Sequence, residues 1–168
     1  VEDNLYDKIS TRYTKALARS MANTKQVKGS NVLNNSTTAT YTGGDGALLV
    51  ANDHPTLSGN QTNLLTTAAD LNETSLEAAL IQIAEMKDER GLKIALRGMK
   101  LILPVNLQFV AERLLNSAGR VGTADNDINA IKSMGMVPQG YVINNFLTDT
   151  DAWYVKTDAP NGLKHFNR

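Results

Sequence analysis

Leu5, Ile9, Tyr13, Leu17 and Met21 recur at every fourth position. That spacing fits a stripe along an α-helix and no β-strand, whose side chains alternate with a period of two. It predicts one long helix from Asp3 to Lys28, with Gly29 as the stop. At 1.5 Å per residue such a helix is about 40 Å long, so the remainder of a small chain must be arranged beside it. Because four residues slightly overshoot one helical turn, the stripe drifts slowly around the axis.

The charge on this helix is one-sided. From Lys8 to Gly44 there are six basic residues, Lys8, Arg12, Lys15, Arg19, Lys25 and Lys28, and no acidic one. A solvated helix face accounts for this in the simplest way. The sharper reading is a surface that meets acidic neighbours, or nucleic acid inside a container. Over the whole chain the charge cancels, with seventeen basic and seventeen acidic side chains, which gives no general reason to expect a nucleic-acid or membrane binder. With 42% hydrophobic and 20% charged residues, the composition is globular.

Residues 30 to 70 are rich in Asn, Thr, Ser and Gly. Thr37 to Thr42 and Ala47 to Ala51 are β-prone, and Gly43-Gly44-Asp45-Gly46 between them reads as a turn. A helix begins at Asn72 to Glu77, where Thr74 and Glu77 have capping-box spacing. It carries a stripe of Leu76, Leu80, Ile83 and Met86 and ends near Gly91. Lys100 to Leu103 is a short buried strand closed by Pro104. A helix from Asn106 to Asn116 follows, with Leu107, Val110, Leu114 and Leu115 inward, and then a small helix from Asp127 to Met134. Tyr141 to Leu147 and Ala152 to Lys156 flank Thr148-Asp149-Thr150-Asp151, which predicts a hairpin. A turn at Asp158 to Gly162 leads to a strand from Leu163. Helices and strands mix without βαβ alternation, so the fold class is α+β. Val1 is not an initiator Met and Arg168 falls within a β-prone run, so the chain reads as part of a longer protein.

Tests for chemistry fail in turn. There is no cysteine, so thiolate metal sites and disulfides are excluded, and no nucleophile elbow, dinucleotide fingerprint, Walker motif or His-Glu-x-x-His is present. His54, one of two histidines, follows Asp53 and precedes Pro55, and a turn residue explains it better than a catalytic pair. Asp149 and Asp151 have the spacing of a two-carboxylate metal clamp, yet Asp in a turn bonds its own backbone. Asp125, Asp127 and Asn129 alternate like the start of a calcium loop, without its glycine or closing glutamate. No cofactor is implied. Trp153 and Tyr154 are adjacent in a strand, so one faces a core and the other is a candidate for a subunit contact.

Several short motifs occur in a telling order. Asp70 to Glu77 opens a helix and Lys87-Asp88-Glu89-Arg90-Gly91-Leu92 closes it. Leu101-Ile102-Leu103-Pro104 runs into Leu107 to Arg113. Asn126 to Asn129, Asn144 to Asp149 and Asp158 to Phe166 follow, and Gly43 to Gly46 with Asp53-His54-Pro55 lies upstream. In this series the chain resembles the major head subunit of Mu-like and related tailed bacteriophages.

The resemblance implies a Hong Kong 97-type capsid fold, with a long spine helix, a peripheral sheet and an axial domain. Asp3 to Lys28 would be the spine helix, residues 1–50 the spine and peripheral part, and residues 51–168 mainly the axial domain and return strands. The N-terminal arm, the extended loop and the further strands of such subunits would lie outside this chain. The implied role is structural and non-enzymatic: pentamers and hexamers form a shell around DNA bound without sequence specificity. Assembly would take place in the bacterial cytoplasm, with scaffolding, portal or decoration proteins as partners and no membrane. Arg12, Lys15, Arg19, Lys25, Lys28, Asp149, Asp151 and Trp153 are the candidate interface or DNA-facing residues. A bacterial nanocompartment shell shares the fold and is the alternative. A hydrolase or transferase using Asp53, His54 and Asp149 is the reading from another class, and it predicts that these groups converge.

Overall fold

The computed structural model describes residues 5–120, 127–160, 162–164 and 166. The expected helix start at Asp3, Asp125 of the calcium-like series, Asn126, the turn residue Asn161 and the strand positions His165, Asn167 and Arg168 lie outside them.

Helix α1 spans Leu5–Asn34 and passes straight through Gly29. One glycine inside a helix costs only about 1 kcal/mol, and the next turn is held from outside. Ser30 is buried, and its hydroxyl bonds the Gln26 carbonyl at 2.9 Å and Asn144 Oδ1 at 3.0 Å. The expected stop at Gly29 is therefore corrected to Asn34. The apolar stripe is not buried by this subunit: every residue from Tyr6 to Gln26 is exposed.

Among residues 35–70 the two β-prone runs form no strands. They meet only at an isolated bridge between Thr42 and Leu48. The expected turn joins them: the Gly43 N–H donates to the Ala47 carbonyl at 2.7 Å, and Gly46 takes a φ of +82°, where a glycine is favoured.

Helix α2 covers Glu73–Glu85, and its N-cap lies two residues before the expected one. Asn72 is the N-cap. Its side chain accepts the Ser75 N–H at 2.9 Å, and the Ser75 hydroxyl accepts the Asn72 N–H at 3.0 Å. Thr74 and Glu77 were expected to play these parts. Asn72 takes the position because its shorter amide reaches the third helical N–H while its backbone stays extended.

Strand β1, Gly98–Leu103, leads through Pro104 and a 3-10 turn at Val105–Leu107 into α3, Gln108–Asn116. Helix α4 is one turn, Ala130–Ser133, capped by Asn129. Strands β2 (Tyr141–Ile143) and β3 (Tyr154–Thr157) complete the set. The fold is α+β.

Strands β2 and β3 do not form the expected hairpin. The sheet order is β2-β1-β3, with β2 parallel and β3 antiparallel to β1. The short turn was read correctly as a reversal of direction, but β1 inserts between its two arms. Leu101 and Leu103 are fully buried, so the most apolar strand takes the centre.

Leu101 and Leu103 on β1 meet Leu76 and Leu80 of α2, Ala111 and Leu114 of α3, and Ile131 and Val137 around α4. Leu107, Val110 and Leu115, expected inward, are half-buried against this core, and Ala111 is the fully buried position of that helix. Asn129 is a buried polar residue that ties two helices. Its amide donates to the Leu114 carbonyl at 2.7 Å and the Ser117 carbonyl at 3.2 Å, and its oxygen accepts the Lys132 N–H at 3.3 Å. Both amide hydrogens and one lone pair of the side-chain oxygen are thus used within the fold.

Candidate functional site

Three groups of residues were candidates for function. The first is α1. Arg12, Lys15, Arg19, Lys25 and Lys28 are all exposed, as are Tyr13, Leu17 and Met21 of the apolar stripe, with 73%, 62% and 62% of their surface open. Among the described residues none of these cations forms an ion pair. At 100° per residue, Lys8, Arg12, Lys15 and Arg19 share one side of the helix, and Ile9, Tyr13, Leu17 and Met21 occupy most of the other. Only the last turns of α1 touch the body. There Asn34 bonds the loop after β2, and the Tyr154 hydroxyl donates to the Leu33 carbonyl at 3.1 Å. The first turns of the helix therefore stand clear of the core.

The second group is the turn at Asp149 and Asp151. The Asp151 N–H donates to Asp149 Oδ1 at 3.3 Å, the Asx geometry expected from sequence. A hydrogen bond between the two carboxyls divides their titration. It holds Asp149 below the ordinary carboxylate value and raises Asp151 above it. Both are exposed. Trp153 is half-buried, donates its indole N–H to the Ala69 carbonyl at 3.1 Å and packs against the core. Tyr154, on the opposite sheet face, reaches α1 through Leu33 and Ser36. Both aromatic neighbours thus hold elements of their own subunit together.

The third group is His54. Its partner is Asp45 and not the adjacent Asp53: Nδ1 lies 2.7 Å from Asp45 Oδ2. This bond holds the Asp45 carboxyl below its usual range. His54 Nε2 is buried without a hydrogen-bond partner. The pair fastens the Gly43 to Gly46 turn to the bridge between His54 and Gln61. Sequence order pointed to Asp53 because the loop that brings Asp45 across is not visible as a local motif.

Among the described residues no hydrogen bond or ion pair joins His54 to Asp149 or to Asp53. No group of three or more His, Asp or Glu side chains able to hold a metal occurs among the described residues. An open hollow of about 400 Å³ between α3, α4 and β2 is lined by Leu115, Ile131, Lys132, Val137 and Tyr141 among others, with no carboxylate or imidazole. Lys132 there donates to the Asn116 carbonyl at 2.6 Å. No helix among the described residues is long and apolar enough to cross a membrane.

The sequence reading missed the ion pair that closes one side of the core. Arg120 Nε and Glu73 Oε2 lie 2.8 Å apart, joining the start of α2 to the segment after α3. The bond pushes the Arg120 pKa up further. An acid in the first turn of a helix was the available signal, since it suits the positive end of the helix dipole.

A family model described as phage capsid protein matches residues 1–167. Comparison with the curated proteins and with the solved structures gave no match.

Proposed function

The chain belongs to the phage capsid protein family, and we propose that it is a shell subunit of the Hong Kong 97-type, akin to Mu-like major head subunits. In this reading it assembles in the host cytoplasm as pentamers and hexamers into an icosahedral head around the DNA genome and catalyses no reaction. Residues 1–50 form the spine and peripheral part, and residues 51–168 mainly the axial part. Scaffolding, portal or decoration proteins are its further partners.

The observation that carries the reading is α1. A helix exposed on all sides from Tyr6 to Gln26 has no packing to stabilise it within its own subunit, and isolated helices are marginal in water. An apolar ridge of Ile9, Tyr13, Leu17 and Met21 needs cover, at about 1.5–3 kcal/mol for each large side chain fully buried. Repeated copies of one chain supply that cover at every subunit and close by symmetry. Arg12, Lys15, Arg19, Lys25 and Lys28 set the register of the contact or face packaged DNA, and exposed acids, Asp149 and Asp151 among them, are available as counter-charges on a neighbour. Trp153 stiffens the strand beside that acidic turn.

The test is negative-stain microscopy with mass determination on the full-length gene product expressed alone. Closed, uniform particles are expected. Reversal of charge with Arg12→Glu and Arg19→Glu should impair assembly while the circular dichroism of the subunit is unchanged. A chain that stays monomeric at high concentration, or normal particles from the double variant, would count against the reading of α1.

A further inference from the structure

The shell reading gives α1 a partner without saying which surface receives it. Helix surfaces carry ridges along the i+4 rows, and helices commonly pack by setting such a ridge into the groove between two others. On α1 one i+4 row is Ile9, Tyr13, Leu17, Met21 and Lys25, and the adjacent row is Arg12, Ala16, Ser20, Thr24 and Lys28. The groove between them is shallow-walled at Ala16 and Ser20, apolar along one side and cationic at both ends. Every residue named is exposed.

On the body, α2 turns an i+4 row of its own outward. Glu77, Ile81 and Glu85 stand in line; Ile81 and Glu85 are exposed, as are Ala78 and Ala84 beside them, while Glu77 is half-buried near Arg120. Ile81 has 62% of its surface open although the opposite face of the same helix fills the core. Helix α2 holds three acids, Glu73, Glu77 and Glu85, and no base, and Glu73 is already paired to Arg120. On α1 the six cations and the single acid Asp7 give a net charge of +5. Residues 35–168 hold fourteen acidic and eleven basic side chains, a net charge of −3. The charge of α1 is thus opposed by that of the body, and α2 joins acid to an exposed apolar residue in one row.

We infer that the Glu77–Ile81–Glu85 ridge of α2 in a second copy seats in the groove of α1. The contact rests on the shell reading and specifies its partner surface. Ile81 lies over Ala16 between Tyr13 and Leu17, and the exposed Glu85, one turn along the same ridge, reaches toward Arg12. Interdigitating i+4 rows place the two helices at a crossing angle near −50°.

The absence of native cysteine makes the test direct. In the full chain, Leu17→Cys combined with Ile81→Cys should give, on mild oxidation of associated protein, a ladder of covalent multimers beyond dimer, because each copy then carries both halves of the contact. Either single variant should stop at dimer. Glu85→Lys should raise the concentration needed for association at least tenfold, and adding Arg12→Glu should restore it. Both charged positions are exposed, and circular dichroism checks that each variant folds. If association is normal in the α2 reversal and no ladder forms, the α2 seat is wrong while the shell reading stands. If native mass measurement finds only monomer in the parent chain, both fail together.

Discussion

The side-chain oxygen of Asn34 accepts the Thr148 N–H at 3.1 Å, while its amide donates to the Phe146 carbonyl at 3.0 Å. One residue at the end of α1 therefore grips both sides of the loop that follows β2. Together with Ser30 on Asn144, it makes the joint between the projecting helix and the sheet.

Asn34→Ala should destabilise the chain by about 1–2 kcal/mol, since two hydrogen bonds and one half-buried anchor are lost. Urea unfolding reads the loss. Amide exchange should accelerate first over residues 30–36, before any change in the core around Leu101.

Gly98 begins β1 directly beneath α2. A Cβ built there would stand 2.5 Å from Leu80 Cδ2 and 3.1 Å from Val155 Cγ1. Gly98→Val should cost about 1–3 kcal/mol through overpacking. Pairing it with Leu80→Ala should cost less than the sum of the two single changes, because the second removes the atom the first displaces. Additive losses in thermal unfolding would show that this close approach does not limit the position.

Ala95 holds a φ of +51°, the left-handed region that an L side chain enters at a cost of about 1–2 kcal/mol. Ala95→Gly should therefore raise stability slightly, by about 0.5–1 kcal/mol, after the greater freedom of glycine in the unfolded chain is deducted. A lower unfolding midpoint would contradict the strain.

Asp149 and Asp151 should titrate in two steps, one on each side of the ordinary value of 3.8. The depressed Asp149 favours the folded state above its unfolded value and loses that effect as pH falls. The raised Asp151 favours the folded state at low pH and loses that effect as pH rises through its folded pKa. Their joint contribution should peak between the two steps. Carboxyl NMR titration reads both groups, and in Asp149→Asn the Asp151 step should move back down toward 3.8. Coincident titration of the two groups in the parent chain would remove the shared proton.

Local chemistry was well written in the residues. The apolar rows of α2 and α3, the turn at Gly43 to Gly46 and the buried strand before Pro104 are decided by neighbours within a few positions, so periodicity and turn preference reveal them. Gly29 misled because a helix interior tolerates one glycine when its next turn is bonded elsewhere, and the bond from Ser30 to Asn144 spans 114 positions. The Asp45 partner of His54 lies across a loop in the same way.

The sequence by itself determined that a long amphipathic helix and a second helix with one apolar face exist, and that the basic charge is concentrated on the first of them; of its β-prone runs, those near Lys100, Tyr141 and Ala152 became strands and those at 37–42 and 47–51 did not. Only the tertiary structure decided that β1 lies between β2 and β3, and that the stripe of α1 is left in the open. Pairing is chosen by competition for the most buried place in a sheet, which compares segments far apart along the chain. A stripe at helical spacing encodes the need for an apolar cover, and that need is the same whether the cover comes from the helix's own subunit or from a neighbour.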